Sequence, residues 1–380
     1  MDQRQFLFVS GHDYRSRRKA NVHFIAESLK RHGKVNFYSI GFSFLSRIKR
    51  DPRADLWRQA NRISEFEGVR CYLERNLIHP FNVGRNWLKL PEKAWFSSYR
   101  MRPRTVLFDW ARSSGTILLE SGISVLLAER IAAANPSAKI IYLVSDDLET
   151  IGCSQYLREC LSRSGRSFSY AVLSSKLLAA AMPADMRMTE VPHGLDQSLF
   201  STEQPSPYSS GLNAVSVGSM LFDASFFEIA CRRFPKVNFY IIGGGQESLR
   251  VKAENAIVLP EMAFSKTIPY ITHASFGIAP YTEAGAPYYL ADTSMKLMQY
   301  QAAGLNAVCP SFAAGGRDGR FGYQPNDEES IAHAIQLALG KPSAKPVQFL
   351  SWNEVADLIL SPQSFIETEF SRVMLNRQRA

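Results

Sequence analysis

ADTSMKLMQYQAAGLNAVCP, residues 291–310, passes from helix to strand across a single glycine. Thr293 or Ser294 stands where a hydroxyl caps the first free N–H groups of a helix. Leu297, Met298 and Ala302 recur at helical spacing, and Gly304 suits the left-handed residue that ends a helix before the extended AVCP run. Lys296 falls in the first turn, where the helix dipole disfavours a cation. An anion at that helix head, most simply a phosphate, resolves the tension. The same letters also fit an ordinary capped core helix of an α/β protein.

Outward from this stretch, strands and helices alternate. Upstream lie LNAVSVGSML (212–221), the helix SFFEIACRRFP, VNFYIIGGG (237–245), NAIVLPEM (255–262) and SFGIAPY (275–281). Before them, PSPYSSG (205–211) has the composition of a linker. The first half reads likewise: QFLFVS (5–10), a helix over SRRKANVHFIAESLKRHG (16–33), KVNFYSIGF (34–42), GTILLESGIS (115–124), VLLAERIAAANP, AKIIYLVSDD (138–147), SYAVLSS (169–175), the helix KLLAAAM and MTEVPHGLD (188–196). Residues 45–104 read as irregular, basic and aromatic, with short helical pieces. The expected fold is α/β, with two doubly wound, Rossmann-like domains facing a cleft. The first spans 1–195 and the second 196–350, with residues 351–380 packing back toward the first.

At 380 residues, two domains are the natural expectation, and 46% hydrophobic with 21% charged residues fits packed cores. No apolar run reaches the ~18 residues of a spanning helix, and the N-terminus reads as a first strand, not a signal peptide. Five cysteines without a C-x-x-C pair give no expectation of disulfides or zinc and suit the cytoplasm. The charge is uneven: residues 1–110 carry 22 Lys and Arg against 10 Asp and Glu, and four of the five tryptophans, Trp57, Trp87, Trp95 and Trp110. Basic side chains among aromatics suit an anionic membrane surface or a nucleic-acid backbone. A solvated basic face is the plainer alternative.

Several chemistries lack their signatures. SGHDYRSRR after the first strand and GGGQES (243–248) both miss the G-x-G-x-x-G spacing. There is no P-loop, H-E-x-x-H, G-x-S-x-G or D-x-D motif. What remains is a chain of glycine turns in the neutral half, suited to a nucleoside diphosphate held without metal.

AVSVGSMLFD, FYIIGGG, IVLPEM, FGIAPY and YLADTSMKLMQYQAAGLNAVCP follow in order the donor-domain landmarks of two-domain, B-type glycosyltransferases. HDYRSRRKANVHFIAESLKRHG, YLVSDDLETI and PHGLD narrow the likeness: from about Phe6 to Trp352 the chain resembles the GumK-type glucuronosyltransferases of xanthan-type exopolysaccharide assembly. That resemblance implies an inverting, metal-independent transfer from UDP-glucuronate to a polyprenyl-diphosphate-linked glycan, by a peripheral protein on the cytoplasmic face of the inner membrane. No cofactor, metal or nucleic acid is expected. Another UDP-sugar such as UDP-glucose is the first alternative donor, and a basic nucleic-acid-binding protein the rival of another class.

The resemblance also assigns residues. Asp146 becomes the general base that takes the acceptor hydroxyl's proton, although Ser145, Asp146 or Asp147 would each serve as a cap for LETIG. A second carboxylate, Asp147, departs from the family's pattern. Lys296 neutralises the diphosphate, with Ser294 and Met295 supplying a hydroxyl and backbone N–H groups. Gln299 contacts the nucleotide; with Ala291 eight residues earlier, it departs from the glutamate pair of many retaining enzymes of this fold. Met220 lines the phosphate path, Glu261 and Met262 meet the uracil, and Tyr281 packs near the nucleotide. Apolar packing is the alternative for Met220, Met262 and Tyr281. His12, Asp13, Arg15, Arg17, Arg18 and Lys19 form the expected acceptor and membrane contact, against a solvated helix start. His193 reads as a hinge or packing residue.

Overall fold

The computed structural model describes residues 4–17, 19–48, 51, 53–82, 84 and 89–366, so Arg18 and Trp87 lie outside the described residues. The chain divides into two compact units. One comprises Met1–His193 together with the chain from Trp352; the other is Gly194–Ser351.

The first unit is built on eight strands: β1 (Gln5–Ser10), β2 (Lys34–Ser43), β3 (Ile63–Phe66), β4 (Val69–Asn76), β5 (Thr116–Glu120), β6 (Lys139–Val144), β7 (Tyr170–Leu173) and β8 (Met188–Glu190). Their order is β3-β4-β2-β1-β5-β6-β7-β8, parallel except for the antiparallel β3–β4 pair. Phe6 to Val9 of β1 are all buried. A continuous apolar run suits a central parallel strand covered on both faces. In register, Phe8 lies between Phe37 of β2 and Leu118 of β5. The chain runs out to one side of β1 through β2 and to the other through β5, so the β1/β5 boundary is the switch point of this sheet.

The second unit repeats the device with six parallel strands: β9 (Leu212–Val217), β10 (Val237–Ile242), β11 (Ala256–Leu259), β12 (Phe276–Ile278), β13 (Ala307–Pro310) and β14 (Arg320–Tyr323). The order β11-β10-β9-β12-β13-β14 puts its switch point between β9 and β12. Phe226, Phe227, Phe239, Phe276 and Ile335 form part of the core on one face; Tyr281, Leu297 and Tyr300 form part of the other.

Two expectations are corrected. Residues 45–104 are not wholly irregular, because β3 and β4 form a hairpin and β4 pairs with β2 over its length. Glu67 and Gly68 at the turn both have positive φ, 49° and 77°. That is the type I′ geometry whose twist matches the flanking strands. The helix expected over 16–33 occupies only Asn21–Leu29. Asp13 to Arg17 form a loop tied down by buried polar contacts, described below. The helix Trp352–Leu360 packs on Asn21–Leu29, with Phe24 stacked on Trp352 at 5.0 Å and Asp357 bound by Arg31 and His32.

Candidate active site

In the second unit, the residues singled out gather at the carboxyl edge, around the switch point. Ser294 is the N-cap of the helix Met295–Ala302, its Oγ accepting the Leu297 N–H at 3.2 Å. The same hydroxyl shares a 2.6 Å hydrogen bond with Tyr281 Oη, beyond the end of β12. The helix ends through Gly304, at φ 67°, where a Cβ would lie 2.7 Å from the Ala344 carbonyl oxygen. The loop after β9 pairs with the loop after β12: Asp223 N–H donates to Pro280 O and Thr282 N–H to Leu221 O, both at 2.8 Å. Met220 stands exposed on this loop. After β10, a Cβ on Gly243 would lie 3.3 Å from Cα of Glu261, which places the glycine turn against the Glu261–Met262 loop. Glu261 is exposed, while Met262 packs on the core that contains Tyr281 and Leu297. Met295 and Gln299 are half-buried.

Lys296 is the unusual member. It is 8% exposed, and its Nζ has no hydrogen-bond partner among the described residues. Its Nζ lies over the Tyr281 ring, 5.3 Å from the centroid. Burial pushes the ammonium down to about 7 from its ordinary 10.5. A buried cation without a protein partner is costly unless a ligand supplies the charge. Arg320, which sequence reading passed over, is a second buried cation nearby in the chain's fold. It donates to Ala291 O at 2.7 Å, Ala313 O at 3.2 Å and Gln301 Oε1 at 2.6 Å, bracing the helix from β14. An arginine within a short strand carries no motif to announce this.

In the first unit, Asp146 follows β6 at the carboxyl edge, half-buried, its N–H donating to Ser121 Oγ at 3.1 Å. The structure separates the three residues that had equal claim to the cap. Asp147 accepts from Glu149 N–H at 3.0 Å and Thr150 Oγ1 at 3.2 Å, so it holds the turn. Ser145 Oγ accepts from Asn21 Nδ2 at 2.9 Å.

The basic cluster is dispersed. Asp13 and Arg15 are buried and pair with each other, at 2.8 Å from Nη2 to Oδ2 and 2.8 Å from Nε to Oδ1. Burial alone would raise the Asp13 carboxyl, but the hydrogen bonds and charge of Arg15 outweigh it and hold it below the usual range. Arg15 also donates to Ser64 Oγ of β3 at 2.9 Å, and Ser39 of β2 donates to Asp13. These two residues pin the loop after β1 and do not present a charge outward, a correction to the expected surface role. Lys19 donates to Tyr14 O at 2.7 Å, and Arg17 is exposed.

Two more polar residues lie at the switch point of this sheet. Glu120 ends β5, buried, and accepts a hydrogen bond from Ser10 Oγ at the end of β1. His12 lies 3.6 Å from Glu120 through Nε2, its side chain 48% exposed, and its N–H donates to Ser10 Oγ at 2.8 Å. Burial pushes the Glu120 carboxyl up to about 8, against the Ser10 hydrogen bond and with the Asp146 charge adding to the rise. The signal was an acid closing a buried strand, in TILLESG. His193 packs against Trp352, both within the first unit, and burial lowers it to about 4.

Comparison with known proteins places this geometry. Residues 8–174 match the family model described as "Glucuronosyltransferase GumK, N-terminal domain". A protein of Xanthomonas campestris pv. campestris named "UDP-glucuronate:glycolipid 2-beta-glucuronosyltransferase" is 42% identical over 363 residues, covering 96% of this chain and 91% of that protein. Among solved structures, the trehalose-6-phosphate synthase OtsA aligns with a TM-score of 0.62 at 12% identity, over 99% of both chains. HepE of Anabaena, in complex with UDP and glucose, aligns with a TM-score of 0.58 at 12% identity, again over 99% of both. At that identity the two structures speak to the fold alone.

Proposed function

The chain belongs to the GumK glucuronosyltransferase family and is a glycosyltransferase, and from that premise we propose that it moves glucuronate from UDP-glucuronate to a polyprenyl-diphosphate-linked oligosaccharide in exopolysaccharide synthesis. The observation that carries this reading is Lys296: a buried ammonium at the head of a capped helix, beside Tyr281 and Ser294 at a switch point, with no protein partner among the described residues. A diphosphate supplies the missing charge, and the helix terminus supplies N–H groups. The relative's printed substrate, UDP-glucuronate, brings that diphosphate.

The transfer is inverting. Asp146 takes the proton of the acceptor hydroxyl while its oxygen attacks the anomeric carbon. The bond from that carbon to the diphosphate oxygen breaks, and the electron pair leaves with UDP. Lys296 and the N–H groups of Met295 and its neighbours meet the charge that develops there. No metal is required, because these groups do the neutralising. Met220, Glu261, Met262 and Gln299 border the nucleotide.

Acceptor docking takes place at the cytoplasmic face of the inner membrane, as a peripheral contact. Phe44 and Ile48 on a short helix after β2, and Leu77 and Ile78 after β4, are exposed apolar residues at the carboxyl edge that also carries Asp146. Phe44 N–H donates to Leu77 O at 3.4 Å, so the two segments adjoin. Arg47 and Arg75 lie over the Trp57 ring at 5.7 and 4.6 Å. Apolar tips with cations behind them suit an anionic interface. Among the described residues no helix is long and apolar enough to cross a membrane.

The test is transfer itself. Purified protein is given a panel of UDP-sugars with a polyprenyl-diphosphate oligosaccharide, with and without chelator, and the lipid product is analysed. Glucuronate incorporation in both conditions is expected, with inversion at the anomeric carbon. Use of another sugar in its place would move the donor assignment, and a strict need for magnesium or manganese would overturn the metal-free step.

A further inference from the structure

We propose that Glu120 is a positioning residue for the transfer: from the switch point of the first sheet its carboxyl holds the Ser10 hydroxyl, which holds the His12 backbone, and so seats the His12 imidazole toward the acceptor hydroxyl that Asp146 deprotonates. The inference rests on the acceptor reading given above.

The geometry is specific. Glu120 and Ser10 end adjacent parallel strands, β5 and β1, at the place where the sheet's connections diverge. Ser10 Oγ binds in two directions, donating to Glu120 Oε2 and accepting the His12 N–H, so side chain and backbone of the β1 loop are set by one hydroxyl. Oε1 of Glu120 faces Nε2 of His12 at 3.6 Å, and the imidazole edge lies against the His23 ring at 5.7 Å between centroids. His23 is itself fixed, through Nε2 to Asp13 O at 2.8 Å and Nδ1 to the Ala20 N–H at 2.9 Å. His12 is therefore an exposed ring on a rigid seat. The next residue after Glu120, Ser121, holds the backbone of Asp146. One two-residue unit thus supports both the imidazole and the base.

A buried carboxyl is expensive when ionised, and here the negative charge of Asp146 adds to the cost. Other groups bearing on Glu120 are the Gly11 N–H, which favours ionisation by hydrogen bonding, the Arg53 guanidinium and the Tyr142 hydroxyl. Arg53 is occupied by Asp51 and by the Ile40 and Gly41 carbonyls. Glu120 therefore works with its proton on. When it ionises, a second negative charge appears beside Asp146, the imidazole is drawn toward the carboxylate, and the acceptor loses its orientation.

The experiment is the pH profile of kcat at saturating donor, where the diphosphate keeps Lys296 charged, for wild type, Glu120→Gln, Glu120→Ala, Ser10→Ala and His12→Ala. Wild type is expected to lose turnover above about pH 8. Glu120→Gln, permanently neutral, keeps the UDP-induced thermal shift and an acceptor KM close to wild type, and no longer falls above pH 8, whereas Glu120→Ala, which cannot hold Ser10, raises the acceptor KM by several-fold. Ser10→Ala removes a hydrogen bond that favours the ionised form, so its descent moves to higher pH, a readout available even if Glu120→Gln folds poorly. His12→Ala raises the acceptor KM to a similar extent. A Glu120→Gln enzyme that keeps the wild-type descent, a Glu120→Ala or His12→Ala enzyme with the wild-type KM, or a Ser10→Ala descent that does not move, overturns the inference while transfer by wild type keeps the functional reading. No transfer by wild type at any pH overturns both.

Discussion

The two switch points handle buried charge in opposite ways. At the β1/β5 boundary, Glu120 is surrounded by protein groups and is pushed up to about 8, toward neutrality. At the β9/β12 boundary, Lys296 is left without a protein partner among the described residues and is pushed down to about 7. One site is internally completed, and in the proposed transfer it serves a neutral hydroxyl acceptor. The other lacks a counter-charge among the described residues, and the proposed reading supplies it as the donor diphosphate. On that reading, the same topology builds a reactive edge in one unit and a binding edge in the other.

The largest effects should fall where that division is sharpest. Asp146→Asn should lower turnover by on the order of 10²–10⁴ while leaving UDP-induced thermal stabilisation intact. Lys296→Ala should do the reverse to binding, abolishing most of the thermal shift with UDP. A Lys296→Ala protein that binds UDP normally would erase the contrast.

Next comes stability. Removing the Arg15 side chain leaves the buried Asp13 carboxylate unpaired, so Arg15→Ala should cost about 3–5 kcal/mol in urea unfolding. Arg17→Ala, on the exposed side of the same loop, should stay within about 0.5 kcal/mol. Equal effects would return both residues to a single surface cluster.

The two buried groups also predict opposite slopes of stability with pH. Glu120 has a folded pKa near 8, above its ordinary 4.5. The unfolded chain gives up that proton first, so the stability it lends is complete below pH 4.5 and is lost, by several kcal/mol at most, as pH rises through 8. Lys296 has a folded pKa near 7, below its ordinary 10.5. The unfolded chain binds that proton more tightly, so stability rises again as pH climbs from 7 toward 10.5. Glu120→Gln should flatten the fall and Lys296→Met the rise, each read from denaturant midpoints across pH 5–10.

Smaller still is the proton linkage of the donor. A UDP-sugar, whose phosphodiesters do not titrate here, should bind about tenfold more weakly per pH unit above 7. At pH 8 calorimetry in buffers of different ionisation enthalpy should find nearly one proton taken up. No uptake would mean that Lys296 does not meet the diphosphate. Asp147→Asn, which weakens one turn, should cost about 1 kcal/mol and change turnover least.

The second unit was the more legible in the letters, because its site is made of caps and glycine turns. A cap at Thr293 or Ser294, which the structure settles as Ser294, Gly304 as stop and the glycines after β9 and β10 are local devices that sequence spacing reveals. The fold of the first unit was legible except for the hairpin, whose Glu67–Gly68 turn takes the left-handed conformation usually signalled by Asn-Gly. Its site was less so. Asp13 and Arg15 looked like part of an exposed basic run, because a spacing of two residues says nothing about which chain segments close over them. Glu120 passed as the end of a strand, since its partners Ser10 and His12 are over 100 residues away and meet it only when β1 and β5 pair. Distance along the chain, not chemistry, hid them.

The return of the helix Trp352–Leu360 to the first unit has a consequence for synthesis. Its seat consists of Phe24, Arg31, His32 and Tyr170, whose hydroxyl donates to Ile359 O at 2.6 Å. All of that seat is made before Gly194–Ser351, and the helix that covers it only afterward. At a ribosomal pace of about 5–20 residues per second, the seat waits roughly 10–30 s for its cover. During that interval the inserted unit, which is one continuous stretch of chain, is free to fold. The first-made unit is therefore the last to be finished, and a nascent chain halted before Trp352 should carry a folded Gly194–Ser351 unit and a first unit whose seat is still uncovered.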